Sequence, residues 1–194
     1  MDNYSVFNIL DLLETLGEDE VCSILSEFSC PKNTEIENFL HSNAIEFAKR
    51  KMSISYLVFN DTQEFVGYFT LTHKMSSIPC DTLSKTSCKK LSMHSKLNEN
   101  TLNYDVSAFL IAQFSKNYAV QDGNAITGDC LMDYVFDILF RIQHLVGGGV
   151  VFLECEEKQK LLDFYQNQNN RFKPYGERYS EKDNKKYIQL LRLF

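Results

Sequence analysis

The residues of this chain best suited to chemistry lie between positions 110 and 165. An apolar strand, Leu110-Ile-Ala-Gln113, leads to a polar turn with two glycines, Asp122-Gly-Asn-Ala-Ile-Thr-Gly128, and the turn opens a long amphipathic helix. A helix N-terminus offers unpaired backbone N–H groups and the positive end of a dipole, so it favours an anion. Gly123 and Gly128 let the backbone approach that anion without a Cβ in the way, and Asn124, Ala125 and Ile126 fill the span between them. Thr127 is placed either to cap the helix or to give its hydroxyl to a phosphate. Asp129 suits the dipole only if its side chain faces away from the anion. An ordinary tight turn has the same local composition, so the turn alone does not decide. Further along, Tyr165 in the pair Phe164-Tyr165 carries a hydroxyl that either protonates a leaving group or packs against a sheet. Glu154, at the end of the apolar run Val150–Glu154, is either a base for an incoming nucleophile or a solvated strand-end charge. Glu156 and Glu157 read as helix-start acids.

These residues need elements to hold them. Val6, Ile9, Leu10, Leu13 and Leu16 have a helical period, whereas Phe7, Ile9 and Asp11 fit a short strand, so the first element is ambiguous. Val21, Ile24, Leu25 and Phe28 suggest another helical turn or two. Thr34 and Glu37 have capping-box spacing, ahead of a helix with Ile36, Phe39, Leu40, Ala44 and Phe47 on one face. Tyr56–Phe59 and Phe65–Leu71 read as an antiparallel hairpin. Residues 75–103 are rich in Ser, Thr, Lys and Asn and read as a polar insertion with a short helix near Leu83–Leu91. Val106–Phe114 is expected to be the central strand. Leu131, Tyr134, Val135, Ile138, Leu139, Ile142 and Leu145 then form a continuous core-facing stripe. Gly147-Gly-Gly149 ends that helix and leads into the strand at Val150. A further helix is expected over roughly 158–168, and strands over Phe172–Arg178 and Tyr187–Phe194.

Bulk properties narrow the function classes. The 194 residues suffice for one α/β domain with a sizeable core, and 44% hydrophobic with 24% charged residues is ordinary for a soluble protein. A net charge of −6 argues against a broad nucleic-acid face, although Lys85, Lys89, Lys90 and Lys96 leave room for a local basic patch. No apolar run approaches the ~20 residues of a membrane span, and the N-terminus lacks the pattern of a signal peptide. Cytoplasmic location is the expectation, as a monomer or a homodimer. The six cysteines show no C-x-x-C spacing, so free thiols are expected and a zinc site has no support; no Cys–His pair has the positions a cysteine hydrolase would need.

Strand, anion-cradling turn, helix, strand and late tyrosine, in that order, resemble the GNAT family of acyl-CoA N-acyltransferases. The likeness covers most of residues 50–194. It is strongest at Gln113-Phe-Ser-Lys-Asn117 and Ile126-Thr-Gly-Asp-Cys-Leu-Met132, which are similar to acetyltransferase-like proteins of Gram-positive bacteria, and it extends to Phe28-Ser-Cys-Pro31. The resemblance implies a single α/β domain over residues 1–194. Its mixed, largely antiparallel sheet of about six to seven strands would splay between two parallel central strands and be flanked by helices. It further implies acetyl-CoA as cosubstrate and an amine acceptor: a small molecule, a protein or an aminoacyl-tRNA. Phe114, Ser115 and Lys116 would offer backbone groups to the pantetheine arm, as an added strand would be met. Residues 123–129 would hold the pyrophosphate, Tyr165 would protonate the departing thiolate, and Glu154 would be the nearest carboxylate to take the amine's proton. The sequence departs from the family where Gly123 replaces the usual Gln or Arg and Ile126 the first Gly of a turn that ends correctly at Gly128. The turn is also longer than usual. The resemblance also implies a toxin-type enzyme acetylating aminoacyl-tRNA, as a branch of the family does, and the altered turn favours a second alternative, a catalytically silent GNAT-like binding module.

Overall fold

The ambiguous N-terminus forms both elements that its residues allow. In the computed structural model, which describes residues 4–121, 123–181 and 184–194, strand β1 (Ser5–Asn8) passes directly into helix α1 (Ile9–Leu16). Asn8 makes the change possible, because its side chain accepts the Leu10 N–H at 2.9 Å and caps the helix. Helix α2 (Glu18–Ser26) follows, with three acids in its first turn. Helices α3 (Thr34–Ser42) and α4 (Ala44–Lys49) replace the single helix expected here, broken at Asn43. The expected capping box does not form. Asn33 is the cap, accepting from the Glu35 N–H at 3.1 Å, and the Glu37 carboxylate turns instead to the Cys30 N–H at 2.5 Å.

Strands β2 (Ile54–Phe59) and β3 (Phe65–Pro79) form the expected hairpin, but β3 runs well beyond Leu71. The polar stretch is therefore shorter than expected. It contains helix α5 (Lys85–Leu91), close to its expected place, and the two-residue strand β4 (Leu97–Asn98). Strand β5 (Asn103–Lys116), helix α6 (Gly128–Val146), strand β6 (Val150–Glu156), helix α7 (Gln159–Gln166) and strands β7 (Lys173–Ser180) and β8 (Lys185–Leu193) complete the chain. The strand order is β1-β2-β3-β5-β6-β8-β7 with β4 on β5, making eight strands among the described residues rather than six or seven. The β5–β6 pair is parallel; β1–β2, β2–β3, β4–β5, β6–β8 and β7–β8 are antiparallel.

Contacts divide the chain into two units, one of Met1–Thr72 with Ala112–Asp137 and the other of His73–Ile111 with Ile138–Phe194. The first has a core of Ile9, Val21, Leu25, Phe28, Leu40, Leu57, Phe65 and Tyr68, among others. Phe28 meets Tyr68 edge-on at 4.9 Å, and the buried Tyr68 hydroxyl is satisfied by donating to the Ile36 carbonyl at 2.6 Å. The second unit packs Ile78, Leu91, Val106, Ala108, Val150, Phe152, Tyr175 and Leu191. The stripe of α6 is buried at Leu131, Val135 and Leu139, but Leu145 is 78% exposed, so the stripe does not run to the helix end. Among the described residues no helix is long and apolar enough to cross a membrane.

Candidate active site

In the first unit, the turn before α6 stands largely in solvent. Gly123 and Asn124 are exposed, and a Cβ built on Gly123 meets nothing within 4 Å. Asp122, the first residue of the expected turn, lies outside the described residues. Ala125 is half-buried and Ile126 is fully buried, so Ile126 has only its backbone to offer a ligand. Thr127 takes the capping role: its Oγ1 accepts the Cys130 N–H at 3.2 Å. Gly128 begins the helix and Asp129 lies in its first turn. A capped helix N-terminus beside an open glycine is a reasonable cradle for an anion.

The C-terminal end of β5 is the second feature of this unit. Phe114 and Lys116 are half-buried and Ser115 is buried, its hydroxyl 2.9 Å from the Lys116 carbonyl and 3.4 Å from Cys30 Sγ. Two residues that sequence reasoning passed over set this strand end. Gly67 on β3 lets it pass close by, since a Cβ there would lie 3.0 Å from the Ser115 carbonyl oxygen and 3.3 Å from Lys116 Cα. Asn117, 3% exposed, ties three segments together. Its Nδ2 donates to the carbonyls of Phe65 at 2.8 Å and Glu27 at 3.1 Å. Its Oδ1 accepts from the N–H groups of Ser29 at 2.9 Å and Ala119 at 3.0 Å, and its own N–H donates to Val66 at 2.8 Å. The signal available in the sequence was a single amide side chain directly after an apolar strand. Asn117→Ala would leave the Phe65 and Glu27 carbonyls and the Ser29 and Ala119 N–H groups without this partner, so we expect a loss of about 2–4 kcal/mol. Urea unfolding measures it, and a loss below about 1 kcal/mol would show that water takes over these bonds.

In the second unit, β5 and β6 pair at Phe109↔Val151 and Leu110↔Phe152. Strand β6 continues to Glu156, paired with β8 all the way to Glu156↔Tyr187. Among the described residues, Leu153–Glu156 therefore have a β8 partner on one edge and no β5 partner on the other. The backbone of an open strand edge can accept an amide-bearing ligand as an extra strand.

Glu154 lies on this stretch with both carboxylate oxygens engaged. Arg178 donates to Oε2 through Nε at 2.8 Å and Nη2 at 2.7 Å, and Gln189 donates to Oε1 at 2.8 Å. Burial works to raise its pKa, yet the bonds from Arg178 and Gln189 outweigh it and hold the carboxyl below its ordinary value. A carboxylate so held is a weaker base than a free one. Arg178 in turn stacks on Tyr187, 4.8 Å from the ring centre.

Tyr165 sits near the end of α7, 8% exposed, its ring edge-on to Phe164 at 5.0 Å and to Phe172 at 6.0 Å. Burial pushes its phenol far above the ordinary value, with the nearby Cys155 adding to the effect. Cys155 is itself buried, and burial followed by the charge of Glu156 lifts its thiol to about 11. Both groups keep their protons at neutral pH. Tyr165 is thus a fully protonated donor, and Cys155 is no nucleophile.

No protein-family model and no curated protein matches this sequence, whereas solved structures do. AtaT complexed with acetyl-methionyl-tRNAfMet is 17% identical and superposes with a TM-score of 0.65, the match covering 98% of this chain and 95% of that one. A tyrosine-to-phenylalanine mutant of KacT is 18% identical, with a TM-score of 0.63 over 95% of this chain and 93% of that one. AtaTR bound with acetyl-CoA is 16% identical, with a TM-score of 0.59 over 100% and 94%. This chain has the GNAT fold. The expected α/β class, with a mixed sheet that is antiparallel apart from its central parallel pair in the registers given above, is borne out. At these identities the likeness is one of fold, and it extends over nearly the whole chain, including the N-terminal helices.

Proposed function

We propose that this chain is a cytoplasmic N-acetyltransferase that moves the acetyl group of acetyl-CoA to an amine by direct attack. The observation that carries the reading is the two-residue parallel register of β5 and β6 in a GNAT fold, which leaves strand edge for a pantetheine arm. The backbone of Phe114, Ser115 and Lys116 would pair with the arm's amides. The turn at 123–127 and the start of α6 at Gly128 and Asp129 would receive the pyrophosphate, with Asp129 turned away from it. A neutral amine then attacks the thioester carbonyl, the C–S bond breaks as the tetrahedral intermediate collapses, and Tyr165 gives its proton to the departing thiolate. Because Glu154 is held by Arg178 and Gln189, it would take up the amine's proton through water rather than by direct contact. Similar folds solved with acetyl-CoA bound support the cosubstrate.

A second reading narrows the acceptor to the amino group of an aminoacyl-tRNA. It is favoured by the likeness to AtaT in complex with an acetylated aminoacyl-tRNA. The net charge of −6 weighs against it, while Lys85, Lys89 and Lys90 on α5 supply a local basic surface. Calorimetry with acetyl-CoA tests the primary reading: we expect micromolar binding, and no binding at millimolar concentration would leave a silent module. Radiolabelled acetyl transfer to amines and to charged tRNA then separates the acceptors.

A further inference from the structure

A contact from the tip of the β2–β3 hairpin reaches the turn before α6. Asn124 Nδ2 donates to Glu64 Oε2 at 2.8 Å. The acceptor is organised by the β2–β3 hairpin itself. Asn60 Nδ2 donates to the same oxygen at 2.8 Å, the Thr62 hydroxyl lies 3.1 Å from it, and Asn60 Oδ1 accepts the Glu64 N–H at 2.8 Å. Gln63 takes a left-handed conformation (φ 64) that closes this tip, and the Asn60 N–H donates to the Glu64 carbonyl at 3.1 Å. The bonds from Asn60 and Thr62, opposed by burial and reinforced by Asn124, hold the Glu64 carboxyl below its ordinary value, so it is ionised at neutral pH. Among the described residues the turn's other fastenings are local, the Asn124 N–H donating to the Gln121 carbonyl at 2.9 Å and the Leu131 N–H to the Thr127 carbonyl at 3.0 Å. Gly123 and Asn124 are exposed, Gly123 has open space around it, and the next anchored side chain is the buried Ile126.

We propose that Glu64 is a positioning residue, whose carboxylate grips Asn124 and so sets the path of residues 123–127 that present backbone to an anionic ligand. The inference rests on the acetyl-CoA reading above. A negative charge near a phosphate site is unfavourable in itself, so the useful property of Glu64 is its hydrogen-bond acceptor rather than its charge. That separates two substitutions. Glu64→Gln keeps an acceptor oxygen and drops the charge; Glu64→Ala drops both.

The experiment is calorimetry with acetyl-CoA on wild type, Glu64→Gln, Glu64→Ala, Asn124→Ala and the Glu64→Ala/Asn124→Ala double variant, with amide hydrogen exchange across residues 119–127. Glu64→Ala and Asn124→Ala should each weaken binding by about three- to tenfold, as expected for one lost hydrogen bond. Glu64→Gln should bind as tightly as wild type or more so, and the double variant no worse than either single change. Exchange in the turn should quicken in both alanine variants with little shift in Tm. Wild-type affinity in Glu64→Ala, or additive losses in the double variant, would overturn the proposal. If wild type itself binds no acetyl-CoA, the cofactor reading falls, and exchange still decides the positioning: equal turn rates in wild type and Glu64→Ala overturn it.

Discussion

Tyr165→Phe is expected to lower kcat by ~10²–10⁴-fold while leaving acetyl-CoA affinity close to wild type. The substitution removes one hydroxyl and keeps the ring that Phe164 and Phe172 pack against. Loss of a single buried hydroxyl costs about 1 kcal/mol, a few degrees in Tm, so the variant should remain folded. The acid matters because the thiolate of coenzyme A is a basic leaving group, and an intermediate that cannot hand it a proton tends to return to thioester. The pH dependence has a definite sign. Burial raises the Tyr165 phenol above its ordinary value of 10.0, so the wild-type donor stays protonated below that value. The ratio of wild-type to variant kcat should therefore hold constant from about pH 7 to about pH 9.5, and an alkaline fall in that window would belong to another group. Steady-state kinetics of both forms across this range is the measurement. Full activity in the Phe variant would hand the proton to water and return Tyr165 to a packing role.

Gly128→Glu should weaken acetyl-CoA binding by more than ~10²-fold without unfolding the protein. The residue is the first of α6, next to the Thr127 cap. A carboxylate in the first turn of a helix is favourable to the dipole, so helix stability should hold or rise slightly. The same carboxylate would enter the space of the pyrophosphate and bring a like charge against it at short range, where water screens least. Circular dichroism and calorimetry on one preparation separate the two effects. A folded variant with unchanged affinity would take the phosphate site away from this turn and leave it a structural turn capped by Thr127.

Much of the fold was legible because it depends on local periodicity. The run from Leu131 to Leu139 marks α6, the aromatic and β-branched segments around Phe59 and Phe65 mark the β2–β3 hairpin, and Gly147–Gly149 marks the passage into β6. Where the pattern was weaker, the elements were missed. Past Leu71, β3 alternates Met75 and Ser77 outward with Ser76 and Ile78 inward, and its polar inward residue, Ser76, finds its partner in the Tyr175 hydroxyl at 3.1 Å. A strand that buries a serine has no apolar period to read. The same holds for caps: Asn33 and Thr34 are both good N-cap residues, and only the capture of Glu37 by the Cys30 N–H shows which is used.

The candidate site divides along the same line. Sequence alone determined which residue types stand at the start of α6, at the end of β5 and on α7, because the order of strand, turn, helix, strand and tyrosine is a property of the chain. Tertiary structure decided what state they are in. Glu154 was readable as a carboxylate at a strand end, but Arg178 and Gln189, 24 and 35 residues away, make it an ion-paired one. Tyr165 was readable as a helix tyrosine, but only burial in the folded chain, with Cys155 nearby, raises its pKa. Asn117 had no role in the sequence until folding brought Glu27, Ser29 and Phe65 to its amide, the nearest of them 52 residues away. The physical reason is common to all three. Propensity and periodicity act between near neighbours along the chain, whereas desolvation, ion pairing and buried hydrogen bonds depend on groups that only the folded chain brings together.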